Sequence, residues 1–159
     1  MAKGVYILVI DVKEDIAMRV GSLGLLSFPR GLYLYVGSGM GEGSASMEGR
    51  IERHLRRRKK LRWHIDYLLE DPHTEVRYVA KIEVKRKLKL ECEVVKKLEK
   101  KSTQLNWLKG FGASDCKSKC FAHLLYFSNM PLDALLHQIG ETLKDLESRI
   151  LSLTIEKVI

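Results

Sequence analysis

The chain has few of the features that mark secreted, membrane-spanning or low-complexity proteins. Its 159 residues include three cysteines and three prolines, and no apolar run approaches the roughly 18 residues that a membrane-spanning helix needs. A small, odd number of cysteines is typical of a reducing compartment rather than of a disulfide framework. Residues 1–12 are apolar but lack a basic start and a small-residue cleavage site. We therefore expect a cytoplasmic protein with no membrane partner.

Positive charge is concentrated in two segments of the chain. The net charge is +8, and residues 50–62 carry eight Arg or Lys against one Glu, while residues 81–101 carry nine against four. Such a block is consistent with a phosphate-rich partner, here nucleic acid and in the first instance DNA, and equally with a solvated helix face that has no partner. The candidate contacts in the first block are Arg53, Arg57, Lys60 and Arg62.

Alternating apolar residues predict a small sheet. In residues 4–12 both alternating sets of positions are apolar, which indicates a strand buried on two faces. Residues 31–36 place Tyr33 and Tyr35 on one face and aliphatic side chains on the other. With a third strand at 76–84, the pattern predicts an α/β domain whose central three-stranded, mainly antiparallel sheet is flanked by helices. Residues 16–20 are predicted to be extended, and residues 21–30 are predicted to form an irregular insert.

A glycine-rich loop at residues 37–46 leads into a helix predicted from 47 to about 60. Met47, Ile51 and Leu55 recur every four residues and form its buried stripe. Arg50 and His54 are also four residues apart, so they lie one above the other at the edge of that stripe. The loop matches neither the dinucleotide-binding fingerprint nor the Walker phosphate-binding loop.

A later helix, predicted from about Leu88 to Lys100, distinguishes two carboxylates. Glu91 precedes apolar residues at the third, fourth and seventh positions after it, so it lies on or beside the buried stripe. Glu93 shares its face with lysines and is expected to form ordinary ion pairs. A carboxylate beside a core is costly unless a cation is near. Glu91 therefore either binds a metal ion or forms a salt bridge to an arginine such as Arg50.

Four short groups occur in the order found in the GIY-YIG nuclease superfamily. They are Gly4-Val5-Tyr6, Tyr35-Val36-Gly37-Ser38, Arg50 with His54, and Glu91. Residues 61–68 and 110–116 further resemble an uncharacterised archaeal and bacterial branch of that superfamily, which is sometimes fused to an endonuclease III-type DNA-repair glycosylase. The resemblance covers residues 4 to about 127 and implies a GIY-YIG-like fold.

The resemblance also implies roles for these residues. Glu91 would bind one Mg²⁺ or Mn²⁺ ion, Tyr6 would activate or position the attacking water, and Tyr35 would orient the groups around it. Arg50 would stabilise charge on the phosphate, and His54 would contact the phosphate or act as an acid or base. The alternative is that both tyrosines pack on the sheet and Arg50 is a surface cation.

Two departures from the superfamily pattern bear on catalysis. Many members carry an asparagine after the glutamate helix, whereas Asn106 is the only one between Glu91 and residue 127, in a dissimilar setting. Ser114 or Asp115 is the candidate for that place. The insert between the first two strands is also longer than usual.

Residues 116–123 contain three potential zinc ligands, Cys116, Cys120 and His123. No fourth ligand is evident nearby in the sequence, so we expect ordinary reduced cysteines rather than a zinc site. Asp115, in a glycine-containing loop, is a further candidate for a functional role.

After Pro131 the sequence predicts one helix, from Leu132 to about Leu151. Its apolar residues alternate three- and four-residue steps over nearly three heptads. We therefore divide the chain into a nuclease-like domain, residues 1–127, and a C-terminal amphipathic helix, residues 128–159. The stripe either docks on its own domain or forms a homodimer.

Two functions from different classes are consistent with these patterns. The first is a metal-dependent endonuclease that hydrolyses phosphodiester bonds in DNA, in repair or recombination. The second is a non-catalytic nucleic-acid-binding module that retains the nuclease fold. The matched residues favour the first function, and the missing asparagine favours the second.

Overall fold

The computed structural model describes residues 2–113, 116 and 120–158. These residues form strands β1 (Lys3–Val12), β2 (Ile16–Arg19), β3 (Leu25–Phe28), β4 (Gly31–Gly39), β5 (Thr74–Val84), β6 (Leu124–Phe127) and β7 (Ser152–Lys157). The α-helices are α1 (Met47–Leu55), α2 (His64–Glu70), α3 (Glu91–Glu99) and α4 (Leu132–Thr142). The mixed α/β class is as predicted.

The central sheet has five strands, in the order β6-β4-β1-β5-β7, and each neighbouring pair is antiparallel. The prediction of three strands is therefore wrong in number, although β4, β1 and β5 are the predicted three. The edge strand β6 is only four residues long and apolar throughout, so it carries no alternation by which to recognise it. The other edge strand, β7, lies in a segment predicted to be helical.

Strand β1 is buried on both faces, as its sequence predicts. Val5, Ile7 and Val9 contribute to the core beneath α3 and α4. Tyr6 and Leu8 contribute to a second core on the opposite face, beneath α1 and α2. The sheet therefore lies between two helical layers, and its central strand reads as a continuous apolar run for that reason.

The insert between β1 and β4 is more regular than predicted, because β2 and β3 pair as an antiparallel hairpin. Leu26 and Phe28 alternate with exposed residues along β3 and bury their side chains in the second core. The alternation extends over only four residues, which is too short to distinguish a strand from a loop in the sequence.

Helix α1 ends at Leu55, five residues before the predicted position. The Nζ atom of Lys59 folds back onto the carbonyl oxygens of Arg53, His54 and Arg56, at 3.3, 2.7 and 2.8 Å, and so satisfies the end of the helix. Leu55 is 39% exposed and His54 only 2% exposed. The histidine therefore occupies the buried position that the sequence assigned to the leucine.

Helix α3 begins at Glu91 rather than near Leu88, and its apolar stripe lies where predicted. Val94, Val95 and Leu98 are buried against the sheet. Glu91 stands at the edge of that stripe in the first turn, where a carboxylate interacts favourably with the helix N-terminus.

The C-terminal segment forms a shorter helix than predicted and then a strand. Helix α4 ends at Thr142, a 3-10 segment follows at Lys144–Arg149, and β7 pairs with β5. Gly140 weakens a helix near its end, and the alternation from Ser152 onward favours a strand.

The leucine-rich stripe of this segment packs on its own sheet. Leu135, Ile139, Leu143 and Leu146 are all fully buried in the core that also contains α3. The structure therefore shows the docking alternative for these side chains. Among the described residues, no helix is both long and apolar enough to cross a membrane.

Candidate active site

An open cavity of about 770 Å³ lies at the end of the sheet where β1 begins and β4 ends. Its lining includes Tyr6, Tyr35, Arg50 and Glu91, four of the five residues predicted to be catalytic. The fifth, His54, is buried directly behind Tyr6. Segments distant in sequence thus meet around one space large enough for a small ligand.

Strand register places the two tyrosines on one face of the sheet. Tyr6 of β1 lies opposite Gly37 of β4, and Tyr35 lies opposite Leu8. The tyrosines are therefore diagonal neighbours across an antiparallel pair, a separation at which aromatic side chains remain in reach of each other. Both belong to the core beneath α1.

Gly37 makes room for the ring of Tyr6. A β-carbon at position 37 would lie 2.5 Å from both Cζ and the hydroxyl oxygen of Tyr6. That distance is far inside van der Waals contact, and the ring is fixed by its surroundings. The glycine of the Tyr35-Val36-Gly37 group therefore sets the position of the phenol.

His54 holds the hydroxyl of Tyr6, with 2.7 Å between the phenol oxygen and Nε2. Its ring also packs against those of Tyr35 and Trp63, at centroid separations of 5.8 and 5.5 Å. Burial lowers the pKa of His54 to about 3, with Lys59 and the arginines of α1 adding to the effect against the opposing charge of Asp66. The imidazole is therefore neutral at physiological pH.

Both tyrosines are phenols rather than phenolates in this environment. Burial is the largest cause that raises the pKa of Tyr6 well above its usual value, and it also raises the pKa of Tyr35. The negative charge of Glu91 adds to both shifts, and the positive charge of Arg50 opposes them. These shared effects show that the four side chains belong to one electrostatic site.

Arg50 is held at the cavity by one hydrogen bond and one aromatic contact. Its Nη1 donates to the carbonyl oxygen of Ser38 at 2.8 Å, and its guanidinium carbon lies 5.5 Å from the centroid of the Trp63 ring. A guanidinium has five N–H donors, so donors remain for an anionic ligand in the cavity.

Glu91 lines the same cavity as Arg50 and makes only long contacts. Its Oε2 is 3.4 Å from the hydroxyl of Ser38, which donates to it. Its Oε1 is 3.3 Å from Nδ1 of His123, close enough for an ion pair but not well aligned for a hydrogen bond. No arginine or lysine of the described residues lies within 4 Å of this carboxylate. The predicted alternative, a salt bridge to Arg50, is not formed.

The surroundings of Glu91 fit a divalent cation. A carboxylate that is 30% exposed, borders a cavity and pairs with no arginine or lysine of the described residues is a suitable ligand for a hard ion. Mg²⁺ typically needs only one or two protein carboxylates, with water and substrate phosphate completing its shell. Glu91 would be the ligand that holds it.

The predicted nucleic-acid contacts differ in their surroundings. Arg57, Lys60 and Arg62 are exposed, and Arg62 also lines the cavity. Arg53 instead forms a paired contact with Asp66, from Nη1 to Oδ1 at 2.8 Å and from Nη2 to Oδ2 at 2.9 Å. The guanidinium of Arg53 is thus engaged within the protein.

Asp66 is a residue whose importance the sequence reasoning missed. It is fully buried, and besides Arg53 it accepts hydrogen bonds from the backbone amides of Arg62 and Trp63, each at 2.9 Å. Burial favours its neutral form, but these donors outweigh burial and keep its pKa below the usual value. An acid at the third position of a helix is the available signal, because it can cap that helix.

His64 lies two residues before Asp66 and contacts a different part of the chain. Its Nδ1 accepts a hydrogen bond from the amide of Gly112 at 2.9 Å, and the residue lines the cavity. Asn106 lies on the surface, and its amide oxygen accepts from Gln104 at 3.3 Å. The two candidates for the superfamily asparagine, Ser114 and Asp115, lie outside the described residues.

Cys116, Cys120 and His123 are brought together, and the structure adds Cys92 of α3 to them. The four ligand atoms all lie within 4.8 Å of one another. Burial raises the pKa of the Cys116 thiol, but hydrogen bonds from its neighbours outweigh burial and lower that pKa to about 6. Burial likewise opposes protonation of His123, while Glu91 and Cys116 raise its pKa overall.

The fold and the cavity define an α/β domain with an antiparallel sheet whose end carries two tyrosines, an arginine and a glutamate. The family model for the domain of unknown function DUF123 matches residues 5–145. The chain therefore belongs to the DUF123 family, a GIY-YIG-like family of unknown function. Searches of curated proteins and of solved structures returned no significant match.

Proposed function

We propose that this protein is a metal-dependent endonuclease that hydrolyses phosphodiester bonds in DNA during repair or recombination. The observation that carries the proposal is Glu91, which borders the same cavity as Tyr6, Tyr35 and Arg50. In the described chain it pairs with no arginine or lysine, and its charged neighbour is His123 at 3.3 Å. A carboxylate in that setting is stable when a cation joins it.

The residues divide the chemistry between them. Glu91 would hold one Mg²⁺ or Mn²⁺ ion, which supplies Lewis acidity and neutralises negative charge on phosphate. Arg50 would donate to the phosphate oxygens and stabilise the charge that develops on them. Arg57, Lys60 and Arg62 would contact the backbone of the nucleic acid beside the cavity.

Tyr6 would position the attacking water. Because its raised pKa keeps it a phenol, it could take a proton from that water only after releasing its own proton to solvent, which a cation bound at Glu91 would favour. Nε2 of the neutral His54 ring lies 2.7 Å from the phenol oxygen. In the tautomer that carries the proton on Nε2, the imidazole would donate to that oxygen and stabilise its anionic form. Tyr35 closes the same side of the cavity.

The test is a cleavage assay on linear, nicked, flapped and four-way DNA and on RNA, with Mg²⁺ or Mn²⁺. Glu91→Gln should lower cleavage by about 100-fold or more, because the metal ligand is lost. Glu93→Gln is the matched control, since Glu93 lies on the outside of the same helix and pairs with Arg149. Equal cleavage by wild type and Glu91→Gln would refute the metal assignment.

The second candidate is a non-catalytic nucleic-acid-binding module. It is favoured by the surface position of Asn106 and by the raised pKa of both tyrosines, which are protonated without a cation. Tight binding of these substrates by wild type, with no products under either metal, would establish it in place of the nuclease.

A further inference from the structure

Four side chains with metal-binding chemistry form a cluster at the edge of the candidate active site, and three of them, Cys92, Cys116 and His123, also line its cavity. Cys92 is the second residue of α3, and Cys116, Cys120 and His123 come from the loop before β6. All four ligand atoms lie within 4.8 Å of one another. The chain has three cysteines, so every cysteine it contains is in this cluster.

The separations suit one tetrahedral ion. Bonds of about 2.3 Å to sulfur and about 2.0 Å to nitrogen place the ligands of a tetrahedral zinc roughly 3.5–3.8 Å apart. The Sγ atom of Cys92 lies 3.0 Å from Sγ of Cys116 and 3.9 Å from Nε2 of His123, on either side of that range. The three cysteines are half-buried, and rotation about their side-chain bonds changes these separations.

The second nitrogen of His123 faces a carboxylate. Nδ1 lies 3.3 Å from Oε1 of Glu91, while Nε2 faces Cys92. Histidines that bind zinc usually direct their other ring nitrogen at a carboxylate or a carbonyl, which fixes the orientation of the ring. The backbone of His123 is also anchored, since its amide donates to Phe111 at 2.8 Å and its carbonyl accepts from Val36 at 3.0 Å.

The loop before β6 has little else to fix it against α3. In its described part, between Gln104 and His123, the only regular element is a 3-10 turn at Asn106–Leu108. Leu108, Phe111 and Ala122 are buried in the core on the opposite face of the sheet from α3. Cys120 packs against the core that contains α3, and a bridging metal ion would add to that contact between the loop and the helix.

We propose that Cys92, Cys116, Cys120 and His123 bind one structural zinc ion that fastens this loop to the start of α3. The three cysteines bind as thiolates and release their protons to solvent. Four protein ligands leave no open position for water or substrate, which is typical of a structural rather than a catalytic site. Soft thiolates select zinc over Mg²⁺ and Mn²⁺, and four ligand atoms this close together surround a single ion rather than an iron–sulfur cluster.

This proposal does not depend on nuclease activity. It does place the zinc ligand His123 in contact with Glu91, so the same ion would help to hold that carboxylate at the cavity. The zinc ion and the proposed Mg²⁺ or Mn²⁺ ion would occupy different positions, the first among the thiols and the second on the cavity side of Glu91.

The test measures metal content, with cleavage excluded as a readout. Protein purified under reducing conditions, without a metal-affinity step, should carry one zinc per chain by mass spectrometry of the metal. Cys92→Ser and His123→Ala should each lose that zinc to background. His137→Ala, which removes an exposed histidine of α4, should retain it. Glu91→Gln should also retain it, which separates this proposal from the proposed function.

A second measurement uses the wild-type protein, so its result does not depend on whether the variants fold. The wild-type apoprotein, titrated with Co²⁺, should show thiolate charge-transfer absorption and the visible bands of a tetrahedral ion, saturating at one equivalent. Absence of zinc together with absence of Co²⁺ uptake would overturn the proposal. Zinc retained in Cys92→Ser, or a Cys92–Cys116 disulfide that excludes the metal, would overturn it as well.

Discussion

The buried, neutral His54 predicts an acid-dependent loss of stability whose size follows from the structure. In the folded protein the pKa of His54 is about 3, whereas an exposed histidine in the unfolded chain titrates near 6.5. Between these values the unfolded chain binds the extra proton and the folded one does not, so stability falls as the pH falls below 6.5. Above that pH both states are neutral and the contribution is constant.

The size of this loss in unfolding free energy depends on how far the pH lies below the pKa of His54 in the unfolded chain. At about pH 5 the unfolded chain lies about 1.5 units below its pKa, and each unit is worth about 1.4 kcal/mol, which gives about 2 kcal/mol. The folded protein adds almost nothing to this difference, because at pH 5 the His54 ring is still neutral in the folded state.

The assay is urea unfolding at about pH 7.5 and pH 5, for wild type and His54→Phe. Wild type should lose about 2 kcal/mol more than the variant between these conditions, because other titrating groups are common to both proteins. His54→Gln serves as a second non-titrating variant that keeps a polar group near Tyr6. Equal losses in wild type and both variants would mean that His54 is protonated in the folded state, and the burial argument would fail.

Three further predictions concern the construction of the site. Gly37→Ala should lower stability by about 1–3 kcal/mol and reduce cleavage, because its β-carbon meets the ring of Tyr6; urea unfolding with the cleavage assay tests it, and an unchanged activity would refute it. Asp66→Ala should destabilise the fold by about 3–5 kcal/mol, since it leaves the largely buried Arg53 without its partner; a loss below about 1 kcal/mol in thermal or urea unfolding would contradict this. The double variant Arg57→Ala with Lys60→Ala should weaken DNA binding at an unchanged melting temperature. It should also reduce the slope of log affinity against log salt concentration by about 2, which binding titrations at several salt concentrations measure. An unchanged slope would mean that neither residue contacts the DNA.

Much of the site could be predicted because its residues lie in elements with clear periodicity. Alternation places Tyr6 and Tyr35 on strands, and the spacing of Val94, Val95 and Leu98 places Glu91 beside a buried stripe. These are local properties, since side-chain direction follows from the period of the element. The structure confirms all of these placements.

Other features depend on partners that the sequence does not place. His54 rather than Leu55 is buried because Lys59 ends α1 early and the Tyr6 hydroxyl lies beside the ring. Arg53 contacts Asp66 rather than solvent because α2 folds back against α1. In each case the residue that determines burial lies outside the helix, so the periodicity of that helix does not predict it.

The sequence by itself determined the α/β class and the two-faced central strand, because periodicity is a local property. Its resemblance to a known superfamily predicted four of the residues that line the cavity, Tyr6, Tyr35, Arg50 and Glu91. Only the tertiary structure decided the five-stranded width of the sheet, the docking of the C-terminal stripe and the fourth member of the cysteine cluster. Cys92 lies 24 residues before Cys116, and no spacing rule connects them. They meet because α3 packs on one face of the sheet while the loop before β6 crosses its end, and such long-range packing sets distances that sequence separation does not encode.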